Sequence, residues 1–349
     1  MKSGEILLEV IRNEMVESIH SGHLLITDQN GKTVLELGDV DDLIYPRSAV
    51  KSLQASAMVR AGLKLNGEQL AVVCASHAGN KRHLDVISSI LISAGLDESS
   101  LRNTPDKPLG SAERAEWGDR KPSSLAANCS GKHSGMLATS AKNGWDLETY
   151  QDINHPLQKL IKAEFEELSG EKISKIGVDG CGAPLFALSL RGLATAIRNL
   201  TLSSDPVHQE VVNACRENPY FVSGSGRLPT LLMENVKGLF VKDGAEGVMV
   251  IANGDPPEQL APNVPYTCLF LLAESHIASS DGRTIHLYRM TPLFTEERDL
   301  QSREGPAALM RAFDRHGVGF VVDMQREEQG SFGEIIPEKF EAYDLTNTL

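Results

Sequence analysis

The amino-acid sequence predicts an α/β chain of the α+β kind, in which a largely antiparallel sheet is flanked by helices and accompanied by a further helical part. Alternating apolar runs flank Asn30-Gly31 in "HLLITDQNGKTVLELGD", the signature of a hairpin with a type I′ turn. A second alternating pair flanks Asp243-Gly244 in "VKGLFVKDGAEGVMVIANGD". Amphipathic stretches of helical period fill much of the chain between them. Strands far apart in sequence and many helices between them point to helices layered on both faces of one sheet.

Taken in order, residues 6–20 repeat apolar positions at helical spacing and predict a first helix, followed by the hairpin. Residues 48–63 predict a second helix with Ala49, Leu53, Ala57 and Val59 inward. "LAVVCASH", residues 70–77, reads as a short buried strand ending at a polar corner, and "HLDVISSILISAGLD" as a helix stopped near Gly95. Irregular Pro, Gly, Ser and charge over 105–128 predict a surface connection. "HSGMLATSAK" and "HPLQKLIKAEFEELSG" read as helices, and "ISKIGVDGCGAPLFALSLRGLATAIRNL" as strand, tight turn and helix. After about Asp255 the character changes: a proline cluster follows, and Lys339 is the only remaining lysine. The strands "TIHLYRM" and "VGFVVDM" and the helix "GPAALMRAFDRHG" can still be drawn there. The expected division is therefore 1–254 as one domain and 255–349 as a divergent segment, mis-translated or partly disordered.

The 349 residues suffice for a sizeable core, and 41% hydrophobic with 23% charged residues is a globular composition. A net charge of −13 argues against nucleic acid or an anionic membrane as partner. Glu5, Glu9, Glu14 and Glu17 interrupt the N-terminal apolar residues, so no secretory core is present, and no run approaches a membrane span. The expectation is a soluble, cytoplasmic protein. Five cysteines (Cys74, Cys129, Cys181, Cys215 and Cys268) are a poor disulfide framework, and Cys215 and Cys268 read as small buried residues.

Candidate chemistry lies in short stretches. In "YPRSAVKSLQA", Ser48 and Lys51 are one helical turn apart, and a desolvated lysine can take a serine proton. The S-x-x-K spacing alone is common on solvated helices, but the small residues Ala49, Ala55, Ser56 and Ala57 mark this helix as closely packed. "CASHAGN" places Ser76 and His77 at a loop corner, as a relay or simply as a capped end. "NCSGKHSGM" is not a phosphate loop, because Ala126 and His133 stand where glycine and Ser or Thr are required. Lys132 and the following helix N-terminus would favour a Cys129 thiolate. "GVDGCGAP" sets Asp179 and Cys181 between glycines; with Cys129 this is half of a tetrahedral metal set, or a pair of loop cysteines.

Together with "GSGRL" and "GAEGV", these stretches, in this order over residues 1 to about 254, resemble the rhizobial-type L-asparaginase family, asparaginase II. The resemblance implies a serine β-lactamase-like fold, also similar to class A glutaminases, and hydrolysis of L-asparagine to L-aspartate and ammonia. It implies Ser48 as nucleophile, Lys51 as base and Ser76 as a second hydroxyl relaying protons. It also implies a zinc site of Cys129, Lys132 and Cys181, a substrate pocket lined by Arg47, His133 and Asp179, and a size and fold that commonly pair as a homodimer. Arg47 would meet the substrate carboxylate and Asp179 its ammonium.

The resemblance also implies a departure. The family's second lysine is expected on a strand after "GAEGV", where this chain has none, which predicts that this lysine lacks a counterpart and that activity is impaired. The family's final helix is likewise not evident. The abrupt loss of lysine fits a shifted reading frame or a retained intron as well as true divergence. Two other readings follow: an inactive relative that binds zinc or an amino acid, and a hydrolase of another amide such as glutamine or a lactam.

Overall fold

The structure, a computed structural model, describes residues 4–12 and 15–253 together with strands at 268–274, 276–278, 284–286, 290–292, 320–322, 326–328 and 331–333. Its centre is an antiparallel sheet of β1 (Glu5–Arg12), β2 (Met15–Thr27), β10 (Cys268–Glu274), β9 (Val248–Asn253) and β8 (Leu239–Asp243), in that order, with β3 (Thr33–Leu37) also paired to β2. The mixed α/β class with antiparallel pairing is as predicted. The N-terminal helix is not: Glu5–Arg12 and Met15–Thr27 are strands, with Glu5 opposite Gly22 and Arg12 opposite Met15. β2 finds partners in β1, β3 and β10, and such pairing overrides the local helical period. The boundary expected at 254/255 falls between β9 and β10, and β10 pairs with both β9 and β2. The helix expected at 305–317 and the disorder expected of the tail lie outside the described residues.

The hairpin around Asn30-Gly31 forms between β2 and β3, but not with a type I′ turn. Gly31 alone takes a positive φ, of 82°, and the loop is organised by Asp28, whose Oδ1 accepts from the Asn30 and Lys32 N–H groups at 2.8 Å each. The two strands expected around Asp243-Gly244 are β8 and β9.

Residues 70–77, expected as a strand, are instead mostly helix, α2 (Gly67–Val73). Asn66 caps it, accepting from Gln69 N at 2.9 Å while the Gln69 side chain accepts from Asn66 N–H at 3.2 Å. This reciprocal cap starts a helix, whereas a short apolar run does not by itself distinguish helix from strand. Four further helices fall where patterning places them: α3 (Lys81–Ser93), α5 (Ser130–Lys142), α6 (Pro156–Ser169) and α7 (Leu190–Leu202); α8 (Pro206–Glu217), capped by Asp205, is an addition to the predicted elements. α6 begins with Pro156 and ends at Gly170, which takes the left-handed conformation at φ 72°. The 105–128 connection carries one extra short helix, α4 (Ser111–Trp117).

At the middle lies a 3-10 turn, Arg47–Val50, running into α1 (Lys51–Arg60). Every α1 residue from Lys51 to Met58 is buried, because Ala55, Ser56 and Ala57 let α5, α6 and α8 approach closely. Leu53 and Met58 are fully buried, and each such side chain contributes roughly 1.5–3 kcal/mol. Polar residues on α1 are tied off rather than left bare. Glu164 of α6 accepts from Ser56 Oγ and from Arg60 Nε at 3.2 Å, and His208 Nε2 of α8 lies 3.0 Å from it. On the sheet, α7 packs on β2, β9 and β10, while Leu24 and Ile26 form a separate small cluster with Leu35, Leu37 and Ile251.

The packing of α2 against α5 needs a glycine. A Cβ on Gly131 would stand 2.0 Å from the Val72 carbonyl oxygen. Gly131→Ala is therefore expected to destabilise the protein by about 2 kcal/mol or more, read by urea unfolding, since backbone cannot yield as a side chain tip can.

Candidate functional site

The turn that carries Ser48 is strained. Arg47, immediately before it, has φ of +51°, a left-handed conformation unusual for a residue with a side chain. Its guanidinium anchors it: Arg47 Nε and Nη2 each lie 2.9 Å from Asp179 Oδ1, and Nη1 lies 3.6 Å from Glu246 Oε1. The turn between β8 and β9 presses against this segment. A Cβ on Gly244 would meet Pro46 O at 2.7 Å and Ser48 N at 3.3 Å, so only glycine allows the approach. The Ser48 N–H belongs to the first turn of the 3-10 helix, where N–H groups lack intrahelical acceptors.

Lys51 is 1% exposed, and its Nζ donates to Ala75 O at 2.5 Å and to Ser76 Oγ at 3.4 Å. Burial and the neighbouring Lys242 bring its pKa down to about 7. Ser76 thus stands beside Lys51, as the sequence implied.

A second lysine also reaches Ser76, which corrects the expectation that it lacks a counterpart. Lys242, on β8, is 1% exposed and donates to Ser76 Oγ at 2.9 Å, to Asp243 O at 2.5 Å and to Asp243 Oδ1 at 2.7 Å. It precedes "GAEGV" rather than following it. Burial lowers its pKa from the ordinary lysine value. Asp243 is held well below the usual carboxylate range; burial opposes this, but Lys242 and Arg227 on either side prevail. Arg227, at the start of α10 (Leu228–Asn235), binds Asp243 Oδ2 at 2.9 Å. A lysine among apolar neighbours in "GLFVKDG" was the available signal for Lys242.

The other sequence candidates gather a few residues away. Cys129 precedes α5, whose first turns carry Lys132 and His133, and Cys181 lies in the loop between β5 (Ile176–Val178) and β6 (Pro184–Phe186). Ligand atoms of Cys129, His133 and Cys181 lie within 4.8 Å of one another, and Lys132 Nζ lies 3.1 Å from Cys181 Sγ. All four side chains are buried. The expected Cys129 thiolate is not what forms: Lys132 points at Cys181, so Cys181, with the Cys129 thiol and Lys132 beside it, is the one driven to thiolate. Cys129, the thiol partner of Cys181 and itself buried, is pushed up. Burial opposes charge on Lys132, but Cys181, Cys129 and Asp179 outweigh it and raise its pKa.

His133, expected to line a substrate pocket, is fully buried beside these sulfurs. Its Nδ1 is 2.8 Å from Tyr150 Oη, while its Nε2 is buried with no hydrogen-bond partner. An orphaned buried nitrogen beside two sulfurs and an amine is the donor set of a soft divalent metal, so these residues fit zinc. Tyr150, which orients His133, was not visible to sequence reasoning. Asp179 Oδ2 lies 3.7 Å from Cys181 Sγ, so the sulfur cluster adjoins the Arg47–Asp179 pair.

The L-asparaginase II family model matches residues 8–262, most of the chain. The chain belongs to the L-asparaginase II family. Membership makes it an asparaginase-type amidohydrolase acting on a small molecule, and the buried Ser–Lys stretch, the Ser76 corner and the glycine-flanked cysteines all fall inside the matched residues. A model of the Suppressor of fused protein matches residues 205–327, overlapping the asparaginase match and running beyond it. No curated protein matches the chain. Among the described residues no helix is long and apolar enough to cross a membrane.

Burying Lys51 carries a cost that should be measurable. Between pH 10.5 and about 7 the unfolded chain binds the Lys51 proton and the folded chain does not, so stability falls as pH drops through that window. Lys51→Met is expected to stabilise the fold at pH 7 by on the order of 2–5 kcal/mol. The gain should shrink towards pH 10.5, as followed by urea unfolding at several pH values.

Proposed function

We propose that this asparaginase-family protein hydrolyses L-asparagine to L-aspartate and ammonia through an acyl-enzyme on Ser48, on a serine β-lactamase-like scaffold. The observation that carries this reading is the convergence of two buried lysines on Ser76 Oγ, beside the turn that bears Ser48. It removes the motive for the inactive-relative reading, which rested on a missing second lysine.

Neutral Lys51 takes the Ser48 proton as Oγ bonds to the side-chain amide carbon, and the carbonyl electrons move to oxygen. The Ser48 N–H is a donor at hand for that oxyanion. The Ser76 hydroxyl accepts from both lysines, which leaves its own proton free to donate. That proton passes to the amide nitrogen as the C–N bond breaks, and Lys242 restores it to Ser76. Ammonia leaves. Water then attacks the ester, giving a proton through Ser76 to Lys242, while Lys51 returns its proton to Ser48 Oγ. Arg47 would bind the substrate carboxylate and Asp179 its ammonium, each exchanging its present partner for the substrate.

Zinc would be held by Cys129, Lys132 and Cys181, with His133 Nε2 in reach; a lysine ligand must first lose its proton. When bound, zinc would supply a fixed positive charge beside the Asp179 subsite.

Ammonia release from L-asparagine, with L-glutamine as the comparison, tests the activity. Ser48→Ala should lower kcat by at least about a thousandfold. The rate should rise with pH through about 7, as Lys51 loses its proton, and fall in alkali as Lys242 does. Folded protein that releases no ammonia, or a Ser48→Ala variant as active as the parent, would sink the proposal. Elemental analysis should find roughly one zinc per chain, lost in Cys181→Ser, and cobalt substitution should give a thiolate charge-transfer band.

A further inference from the structure

The two lysines at Ser76 differ in the acceptors they face. A protonated amine has three hydrogens and no lone pair, whereas a neutral amine has two hydrogens and one lone pair. Lys242 Nζ faces Ser76 Oγ at 2.9 Å, Asp243 O at 2.5 Å and Asp243 Oδ1 at 2.7 Å, an acceptor for every hydrogen of an ammonium. Lys51 Nζ faces only Ala75 O at 2.5 Å and Ser76 Oγ at 3.4 Å, which satisfies a neutral amine and leaves its lone pair for a proton from elsewhere.

Asp243 supplies two of the Lys242 acceptors and a negative charge. It is not free to turn away, because Arg227 Nη2 holds its other carboxylate oxygen at 2.9 Å and Arg227 Nε is fixed on Ser223 Oγ at 2.8 Å. Deepening the serine–lysine reading above, and resting on it for the catalytic meaning, we propose that Asp243, anchored by Arg227, directs the proton shared by Lys51 and Lys242 onto Lys242 and so leaves Lys51 as the base. Asp243 is then a positioning residue: it acts on the nucleophile only through the two lysines.

The charges around the pair are consistent with this division. At Lys242, Asp243 and Cys215 favour the proton and Arg227 opposes it. At Lys51 the charge of Lys242 works against a second proton, while Cys129 and Cys181 oppose Lys132 from the far side. Because those sulfurs and Lys132 also form the candidate metal cluster, the comparison must be made at one fixed metal loading.

The test follows the lysine Nζ and Cε resonances by NMR in isotopically labelled protein, assigned with single lysine substitutions. In the parent, Lys242 should titrate above Lys51. Asp243→Asn keeps the shape and one acceptor but removes the charge; it should lower the Lys242 midpoint and raise that of Lys51, each by about one pH unit or more. The maximal kcat/KM should fall about tenfold without a matching rise in KM. Arg227→Lys, which keeps Asp243 and a cation beside it, should leave the parent order of the two midpoints unchanged. Should Asp243→Asn fail to fold, Asp243→Ser, which also removes the charge, serves instead with the same expected shifts.

A parent in which Lys51 titrates above Lys242, or midpoints unmoved in folded Asp243→Asn, overturns the proposal. The titration readout does not depend on turnover. If it behaves as expected while asparagine yields no ammonia, the charge assignment stands and the asparaginase reading falls.

Discussion

Two amines on one hydroxyl in a dry core is the constraint on which the rest of the site depends. Both lysines lie within 3.4 Å of Ser76 Oγ, so their nitrogens are roughly 6 Å apart at most, and two charges there would repel by about 3 kcal/mol at an effective dielectric of about 20. Both can hardly be ammonium ions in the resting molecule. Water would screen them, but α1 is packed too closely to admit it: its small residues draw in α5, α6 and α8, and the exposure of both lysines is near zero. The packing of the core and the reactivity of Lys51 are therefore one property. The apolar seal that stabilises the fold also strips water from the lysine and lowers its affinity for a proton.

The same seal explains the buried polar groups around it. Ser56, Arg60, Glu164 and His208 interlock α1, α6 and α8, so the helix that must hold Lys51 dry is also fixed in register by hydrogen bonds. A core of hydrocarbon alone would bury as much area but would let the helix slide. On the other side, Gly131 lets α5 come close to α2, while the first turn of the same helix brings Lys132 to Cys181.

What was legible in the sequence follows from how local each signal is. Ser48 and Lys51 lie one turn apart, as do Cys129 and Lys132, so spacing alone singles out each pair. The antiparallel hairpins declared themselves by alternation and Gly-containing turns. Lys242 was not found, because its partner Ser76 lies far away in sequence and the lysine was sought after "GAEGV" rather than before it. The stretch at 70–77 was misread because an apolar tetrad fits either period; Asn66 and Gln69 were the deciding pair. Glu5–Arg12 and Met15–Thr27 became strands because β2 gained partners from distant segments, which no local pattern reports. His133 was placed in the pocket rather than in the sulfur cluster, since only the fold reveals which face of α5 meets Cys181.

The Arg47–Asp179 pair gives the site its remaining logic. An α-amino acid carries the same two charges in the same polarity, so a substrate can replace each residue's present partner without leaving a buried charge unpaired. The exchange would break the Arg47–Asp179 pair and make two, one at each end of the substrate, against the cost of stripping water from its carboxylate and ammonium. The proposed selectivity rests on geometry: Arg47 has a left-handed backbone and a guanidinium held by Asp179, and a substrate carboxylate would take over that hold. A ligand that brought an ammonium without a carboxylate would take Asp179 and leave Arg47 with only its longer contact to Glu246. On the proposed reading, recognition of both ends of an amino acid would keep the turn that bears Ser48 anchored while the substrate is bound.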